Sequence, residues 1–504
     1  MNNLVIVESN AKASKIKGYL DSKFPEDNWQ VNACLGHICD LPNEEKAVNP
    51  DDWEDLKWAD TTKGKKVIKE LTKLCKENDS IFLATDPDRE GEAIAWHLNN
   101  KFEKKKLLKD KFVSRISFTE ITPSAIEEAI KNPREIDQNL VNAYLARRIL
   151  DHLIGFKVSP FLWRHISRAK SAGRVQSPSL RIVCEKEDEI DAFTPEEFWP
   201  FSGKFNYKDF QVDADLTSIN GEKTDKKRVS NEIEAKQIEN ELTSQSFYLK
   251  EIESKPQSNS SKAPFRTSTL QQAASSKLSF TADRTMRVAQ KLYEDGLITY
   301  LRTDGISISN DILNDLRNFI ASEYGEKYLS EKPKIYKSKA ANSQEAHEPI
   351  RPTDFSIKPS KAKLTGDEMK LYSLIWNRTL ASQMSNSKYE RKTLVISSKD
   401  EKYIFRAASR KNLFLGFELL TKEEDEDGTD TEFPENLKEQ EELILKVVNF
   451  EQKFTSPPRR YSEASLIKKM EEEGIGRPST YASILKNLRE KKYTYGAKSI
   501  TPSD

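Results

Sequence analysis

A multidomain chain with α/β, all-helical and β-rich parts is predicted by three observations. Strand-like and helix-like runs alternate through residues 1–138, the pattern of an α/β domain. Helical periodicity then governs 139–190, and strand-like alternation follows in 195–256 and returns in 389–420. At 504 residues the chain is too long for one core, so three or four domains are expected. Strands that resume after a helical insertion predict domains built from discontinuous segments.

The first element is Leu4-Val5-Ile6-Val7, a short β-branched run that reads as a buried parallel strand. It ends at Glu8-Ser9, and Lys12 falls on the first turn of a helix. A second apolar run, Ile81 to Ala84, stops at Asp86, Asp88, Glu90 and Glu92, with Arg89 among them. Four carboxylates within seven residues repel one another in water. A magnesium ion relieves such repulsion, since it prefers carboxylate and water oxygens. Pro87 stiffens the turn and Gly91 loosens it before the helical run AIAWHLNNKF. The acids thus sit at the carboxyl end of a buried strand, where open α/β sheets place their ligands. Glu8 beside such acids is expected to hold its proton more tightly, which suits acid or base work. Taken alone, Glu8 fits a helix cap as well as a catalyst.

The helical stretch NAYLARRILDHLIGF carries Arg147, Arg148 and His152 among its apolar groups. FSGKFNY and FQVDADL alternate as strands. The polar joint PQSNSSK, 256–262, reads as a hinge or linker. Residues 263–388 are mostly helical, and 460–504 are helical again. The acidic run at 421–432 reads as a solvated loop.

Bulk composition narrows the partners. Lys and Arg number 81, as do Asp and Glu, so a uniformly basic nucleic-acid binder is excluded while local basic surfaces are not. No apolar run approaches the roughly 20 residues that span a membrane. A strand begins at once, so no signal peptide is expected. Cys34, Cys39, Cys75 and Cys184 are sparse and suit a reducing cytoplasm. Cys34, His37 and Cys39 lack a second cysteine pair, so zinc is not expected there. No Gly-rich Walker loop appears, so ATP use is not expected.

Three further constellations carry chemistry. In GLITYLRTD, 296–304, an extended backbone turns Tyr300 and Arg302 to one side. A guanidinium there holds a phosphate by a fork of donors and favours phenolate. The bland alternative is a tyrosine packed at a helix end. EAHEPIRPT, 345–353, places His347 and Arg351 in a polar stretch suited to phosphate or proton handling. SRAKSAGRVQS, APFRTSTLQQAA and GIGRPSTYA are basic and hydroxyl-rich. Arg174, Gln176, Ser177, Arg477, Ser479 and Thr480 offer donors for a groove that tracks a nucleic-acid backbone.

Taken in order, LVIVES-x-AK, GHICDLP, DPDREGEAIAWHL, ARRILDHLIGF, SAGRVQS, FRTSTLQQ, GLITYLRTD, EAHEPIRPT and GIGRPSTYAS closely resemble the type IA DNA topoisomerases, in particular the bacterial topoisomerase I branch. The resemblance spans roughly residues 4–495. It implies a torus: a Toprim α/β domain (1–138), a helical DNA-groove domain (139–194 and 460–504), a β-rich arch and hinge (195–262 and 389–459) and a helical gate (263–388). It implies Tyr300 as the nucleophile of a 5′-phosphotyrosyl link, Arg302 as the residue that positions the scissile phosphate, and His347 nearby. Glu8 becomes the proton-transfer acid, Lys12 the active-site lysine, and Asp86, Asp88 and Glu90 the acids that hold Mg2+. Arg147 and Asp151 become contacts to the cleaved strand, and Arg477 and Thr480 part of the single-strand groove. The implied enzyme relaxes negatively supercoiled DNA at a single-stranded stretch without ATP, as a cytoplasmic, nucleoid-associated monomer. Its acids lie in a different domain from Tyr300, so they are expected to serve metal binding and resealing more than activation of the nucleophile.

The sequence departs from the family pattern at three positions. Gly305 stands where serine is usual, His152 where arginine is usual, and Pro349 where a small residue is usual. The family also continues beyond the point matching Asp504, with further helices and often zinc-binding repeats. Two alternatives follow: a single-strand-binding fragment that cleaves weakly or not at all, and a decatenase of the topoisomerase III kind. A Toprim nuclease that uses water is a third.

Overall fold

The structure is a computed structural model that describes residues 1–49, 51–167, 169–225, 228–337, 348–421 and 432–503. The acidic stretch 422–431 and His347 lie outside the described residues.

Residues 1–131 build a four-stranded parallel sheet flanked by helices. Strands β1 (Asn2–Val7), β2 (Asn28–Ala33), β3 (Ser80–Leu83) and β4 (Phe112–Arg115) run in the order β2-β1-β3-β4. The run LVIV is apolar throughout because both faces of β1 are covered. Val5 and Val7 pack toward Ala13, Ile16 and Leu20 of α1 (Asn10–Lys23). Leu4 and Ile6 pack toward Val67 and Leu71 of α2 (Thr62–Glu77) and toward Ile94 and Leu98 of α3 (Arg89–Lys104). Strands β1 and β3 are adjacent, with Ile6 opposite Leu83. Each runs directly into its acids, so Glu8 and Asp86 leave the sheet side by side.

The β-rich part closes on itself. Strands β5 (Phe201–Tyr207), β6 (Phe210–Ile219), β7 (Phe247–Asn259), β8 (Ser387–Ser398), β9 (Tyr403–Phe414) and β10 (Glu442–Phe450) pair antiparallel in the cycle β5-β10-β7-β8-β9-β6 and back to β5. Phe205, Phe247 and Phe405 fill it, their rings meeting edge to face with centroids 5.1–5.7 Å apart. Closure leaves few free edges, which is how antiparallel sheets avoid unwanted pairing.

The stretch read as a linker is largely strand. Pro256 to Asn259 finish β7, paired through Pro256↔Glu390 and Asn259↔Ser387 of β8. Past Leu249 the other side of β7 has no partner strand among the described residues, and an open edge is where a proline is tolerated. Polar composition suggested a loop, but exposure on a protruding two-stranded ribbon accounts for it equally well. Residues 260–386 emerge from the tip of this ribbon.

Helices α4 (Pro123–Lys131), α5 (Gln138–Leu153) and α6 (Gln176–Asp191) precede that excursion, which contains α7 (Thr267–Leu278), α8 (Ala282–Glu294), α9 (Asn310–Tyr324) and α10 (Gly366–Gln383). Its core is continuous with that of the α/β part: Phe265, Leu292, Tyr293 and Tyr300 join one apolar cluster with Val5, Val7 and Phe82. The helix at Gln176–Asp191 packs with Glu463–Glu472 and Tyr481–Glu490 through Ile182, Val183, Leu466, Met470 and Leu485.

Candidate active site

The acidic loop is built by its own backbone. Asp88 caps α3, its carboxylate accepting the Gly91 N–H at 2.8 Å. Gly91 sits so close to the loop that a Cβ there would lie 2.2 Å from the Asp86 carbonyl oxygen. Glu92, the fourth acid of the cluster, points away. It is fully buried, bonded by Arg115 Nε at 3.1 Å, by Arg134 Nη1 and Nη2 at 2.8 Å and by the Asp137 N–H at 2.7 Å. Arg115 also donates to the carbonyls of Leu83 (2.9 Å) and Asp86 (2.7 Å), which fixes where the loop leaves β3. Sequence reading missed Arg115, although a lone arginine inside the apolar alternation of KFVSRISF was a visible signal.

Glu8 and Lys12 meet at the first of these acids. The Asp86 N–H donates to Glu8 Oε1 at 3.0 Å, and buried Lys12 pairs with Asp86 Oδ1. Ser9, and not Glu8, caps α1. Burial, then the charge of Asp86, pushes the Glu8 carboxyl up to about 8. Glu8 therefore holds a proton at neutral pH, unlike an ordinary glutamate.

Tyr300 arrives from the other part of the chain. Its N–H donates to the Thr119 carbonyl at 2.7 Å, and its hydroxyl donates to Asp88 Oδ2 at 2.6 Å. Arg302 Nη1 lies 3.4 Å from Asp88 Oδ2 and 3.1 Å from Glu90 Oε2. Both side chains thus reach the same carboxylate, although the backbone bends at Leu301 and Arg302 instead of running extended. The expected phenolate is not favoured. Burial and the charges of Asp88 and Asp86 hold the Tyr300 hydroxyl well above its ordinary value, and Arg302 opposes them only in part. Asp88 behaves oppositely: burial pushes it up, but Arg302, Tyr300 and the Gly91 N–H together hold it below the usual carboxylate range. It is thus an anion that accepts the hydrogen bond of the Tyr300 hydroxyl, a contact the sequence reading did not assign to the acids.

The donors are hard oxygens, as magnesium requires. In this closed arrangement each is engaged by a cation of the chain: Asp86 by Lys12, Asp88 by Arg302, and Glu90 by Arg302 and by Arg147 at 3.7 Å. Among the described residues no three acidic, histidine or cysteine side chains converge as a metal cage. The acids still fit magnesium in kind, because it commonly takes one or two carboxylates and completes its shell with water and phosphate oxygens.

The expected DNA contacts divide into two groups. Arg147 reaches Glu90 and Asp151, and Asp151 accepts from Arg174 Nε at 3.1 Å, so these three continue outward from the acids. Arg477 is exposed and lies near enough to half-buried Arg89, together with Arg147, that burial and these two like charges lower the Arg89 pKa. Ser177 is exposed, its hydroxyl accepting the Gly173 N–H at 3.2 Å, and Ser479 is half-buried. Three others are structural here. Gln176 is buried between the Ser171 carbonyl (3.0 Å) and Lys491 Nζ (3.0 Å). Thr480 Oγ1 accepts the Arg477 N–H at 2.8 Å and locks that turn. Arg351 is 2% exposed, its guanidinium donating to Glu120 and the Pro352 carbonyl at 3.0 Å and to Glu348 at 2.9 Å. It clamps the tyrosine segment to the α/β part and presents nothing to a DNA backbone in this conformation. EPIRPT is largely buried, and its arginine is partnered by carboxylates of the chain itself.

Two departures from the family pattern are explained. No helix begins at Gly305; its N–H donates to Thr303 Oγ1 at 2.9 Å within a turn. His152 is buried with its ring 4.5 Å from that of Phe156, so it does not reach outward as an arginine would.

The family profile described as DNA topoisomerase matches residues 135–504, and that of the Toprim domain matches residues 3–121. The chain belongs to the bacterial, type IA DNA topoisomerase I family. Among these topoisomerases, DNA topoisomerase 1 of Rickettsia bellii is 47% identical over 99% of this chain and 64% of its own length. That of Xylella fastidiosa (strain Temecula1) is 41% identical over the whole chain and 63% of its own length. The chain therefore spans just under two thirds of these relatives. Full-length topoisomerase I from Thermotoga maritima superimposes with a TM-score of 0.83 at 38% identity, covering 99% of this chain and 80% of that one. The multidomain fold with a Toprim domain is that of a topoisomerase I. Among the described residues, no helix is long and apolar enough to cross a membrane.

Proposed function

We propose that this chain cuts and reseals one strand of DNA through a 5′-phosphotyrosyl link on Tyr300, relaxing negatively supercoiled DNA without ATP. The observation that carries this reading is the 2.6 Å hydrogen bond from the Tyr300 hydroxyl to Asp88, two residues 212 apart in sequence. A nucleophile, a proton acceptor and a protonated acid within one cluster suit phosphoryl transfer.

In the proposed step, Tyr300 Oη forms a bond to phosphorus and its proton passes to Asp88. The bond from phosphorus to the 3′-oxygen breaks, and Glu8 gives that oxygen its proton. One phosphoester replaces another, so no external energy source is required. Arg302, freed from Asp88 and Glu90 by the incoming phosphate, holds it by its fork of donors. Lys12 stays paired with Asp86. For resealing, once Asp88 has passed the phenolic proton to solvent, Asp86, Asp88 and Glu90 would hold magnesium, which would neutralise phosphate charge. His347 is retained as a candidate near that phosphate.

The substrate is DNA with a single-stranded stretch, tracked by Arg147, Arg174, Ser177, Arg477 and Ser479. The fourfold division into Toprim, groove, arch and gate parts goes with this reading, the gate swinging on the ribbon of β7 and β8. A cytoplasmic, nucleoid-associated monomer is the form proposed.

The test is trapping of a covalent adduct with a labelled single-stranded oligonucleotide, together with plasmid relaxation with and without magnesium. The wild-type chain should form a 5′-linked adduct and Tyr300→Phe should form none. An adduct that survives in that variant would sink the proposal.

A further inference from the structure

Within 5.3 Å of the Tyr300 ring lies a second tyrosine that the proposed step does not use. Tyr293, on α8, is fully buried, and its ring meets that of Tyr300 edge to face. The Lys12 ammonium stands 5.0 Å from the centre of the Tyr293 ring, so this tyrosine also touches the cation that pairs with Asp86.

The Tyr293 hydroxyl has no hydrogen-bond partner among the described residues. That is unusual, because buried tyrosine hydroxyls ordinarily find one and a buried polar atom left unpaired is destabilising. Its neighbours are not short of hydrogen bonds. Tyr300 is satisfied by Asp88, Lys12 by Asp86, Glu8 by the Asp86 N–H, and Arg302 by Asp88 and Glu90. After burial, the charges that act on Tyr293 most strongly are Asp86, Glu8 and Asp88, so it sits beside the same cluster. Burial among them keeps it a neutral phenol, hence a hydrogen-bond donor.

We propose that the Tyr293 hydroxyl donates a hydrogen bond to a non-bridging oxygen of the scissile phosphodiester. The inference rests on the reading of Tyr300 as nucleophile. In that reading phosphorus lies between Tyr300 Oη and the proton held by Glu8. The Tyr293 ring borders both Tyr300 and the Lys12–Asp86 pair, which flank that line on its two sides. A donor so placed reaches an equatorial oxygen, where charge grows as the new bond forms. Tyr293 neither gives nor takes a proton in the step. Its unpaired state without DNA is the counterpart of its bond with DNA, an instance of the donor being held in place before the charge arrives.

Tyr293→Phe tests this, since it keeps the ring, its packing on Tyr300 and its contact with Lys12, and removes only the oxygen. The fold should hold, with a thermal melting temperature no lower than wild type. Affinity for a single-stranded oligonucleotide, measured without magnesium, should stay within about twofold of wild type. Single-turnover adduct formation should slow by about 10²-fold, the order seen on removal of one donor to a developing oxyanion. A structural role is separated by oligonucleotides carrying sulfur at one or the other non-bridging position of the scissile phosphate. One diastereomer should slow the wild-type chain and have much less effect on Tyr293→Phe, because the bond that sulfur weakens is already gone. Adduct formation at the wild-type rate in Tyr293→Phe, or equal sulfur effects in both proteins, overturns the inference. Absence of any adduct with the wild-type chain refutes instead the reading of Tyr300 on which it depends.

Discussion

The Tyr300 hydroxyl donates to Asp88 Oδ2 at 2.6 Å, and this one bond joins the carboxyl end of a parallel sheet to a helical excursion that begins more than 170 residues later. Asp88 is simultaneously the cap of α3 and a partner of Arg302. Its charge is therefore set by the fold before any substrate arrives.

Asp88→Asn preserves the size of the side chain and its capping oxygen but removes the proton acceptor. The rate of adduct formation is expected to fall by roughly 10²–10⁴-fold, the usual worth of a positioned general base. Single-turnover cleavage of a labelled oligonucleotide reads this directly. Melting should change little, since asparagine also caps helices well.

Glu8 gives a pH signature with a defined sign. Its carboxyl is raised from 4.5 to about 8 in the folded chain. A raised carboxyl stabilises the fold fully below the unfolded value, and that contribution is lost as pH rises through the folded value. Glu8→Gln should therefore melt close to wild type near pH 4 and higher than wild type near pH 9, in magnesium-free buffer. Cleavage by the wild-type chain should decline above about pH 8 as Glu8 loses the proton destined for the 3′-oxygen. A melting difference that does not vary with pH would show that Glu8 ionises as an ordinary carboxyl.

Glu92→Ala removes a fully buried carboxylate shared by Arg115 and Arg134. Breaking a buried pair from one side costs about 3–5 kcal/mol, because the remaining charge is stranded. Chemical denaturation should show a loss of this order. The acidic loop should loosen too, since Arg115 also holds the carbonyls of Leu83 and Asp86.

Arg477→Ala should weaken binding of single-stranded DNA about equally for all sequences. The slope of log affinity against log salt should fall by about one, as expected for a lost backbone-phosphate contact. Arg351→Ala should behave differently, lowering the melting temperature through its contacts with Glu120 and Glu348. Titration of a fluorescent oligonucleotide at several salt concentrations, beside thermal melts, distinguishes the two.

Local pattern carried the elements that pack on themselves. LVIV and IFLA had to be buried strands because their residues are apolar on both faces, and the acids after them had to lie at the strand ends. Asp88 as a cap followed by Gly91 is likewise a local event. Ordered motifs shared with a family then carried Tyr300 to the acids, which spacing alone could not have done.

The rest was decided by contacts between distant segments. Pro256 to Asn259 are strand because Ser387 to Glu390 lie alongside them. Arg351 is a clamp because Glu120 and Glu348 converge on it. Tyr300 remains a protonated phenol because it is buried against Asp88, not because of the nearby arginine. Composition and order thus determined the fold class and the acidic loop, and they singled out Tyr300 as the candidate nucleophile. Charge states and hydrogen-bond partners depend on burial and on distances of a few ångströms, and only the tertiary structure sets those.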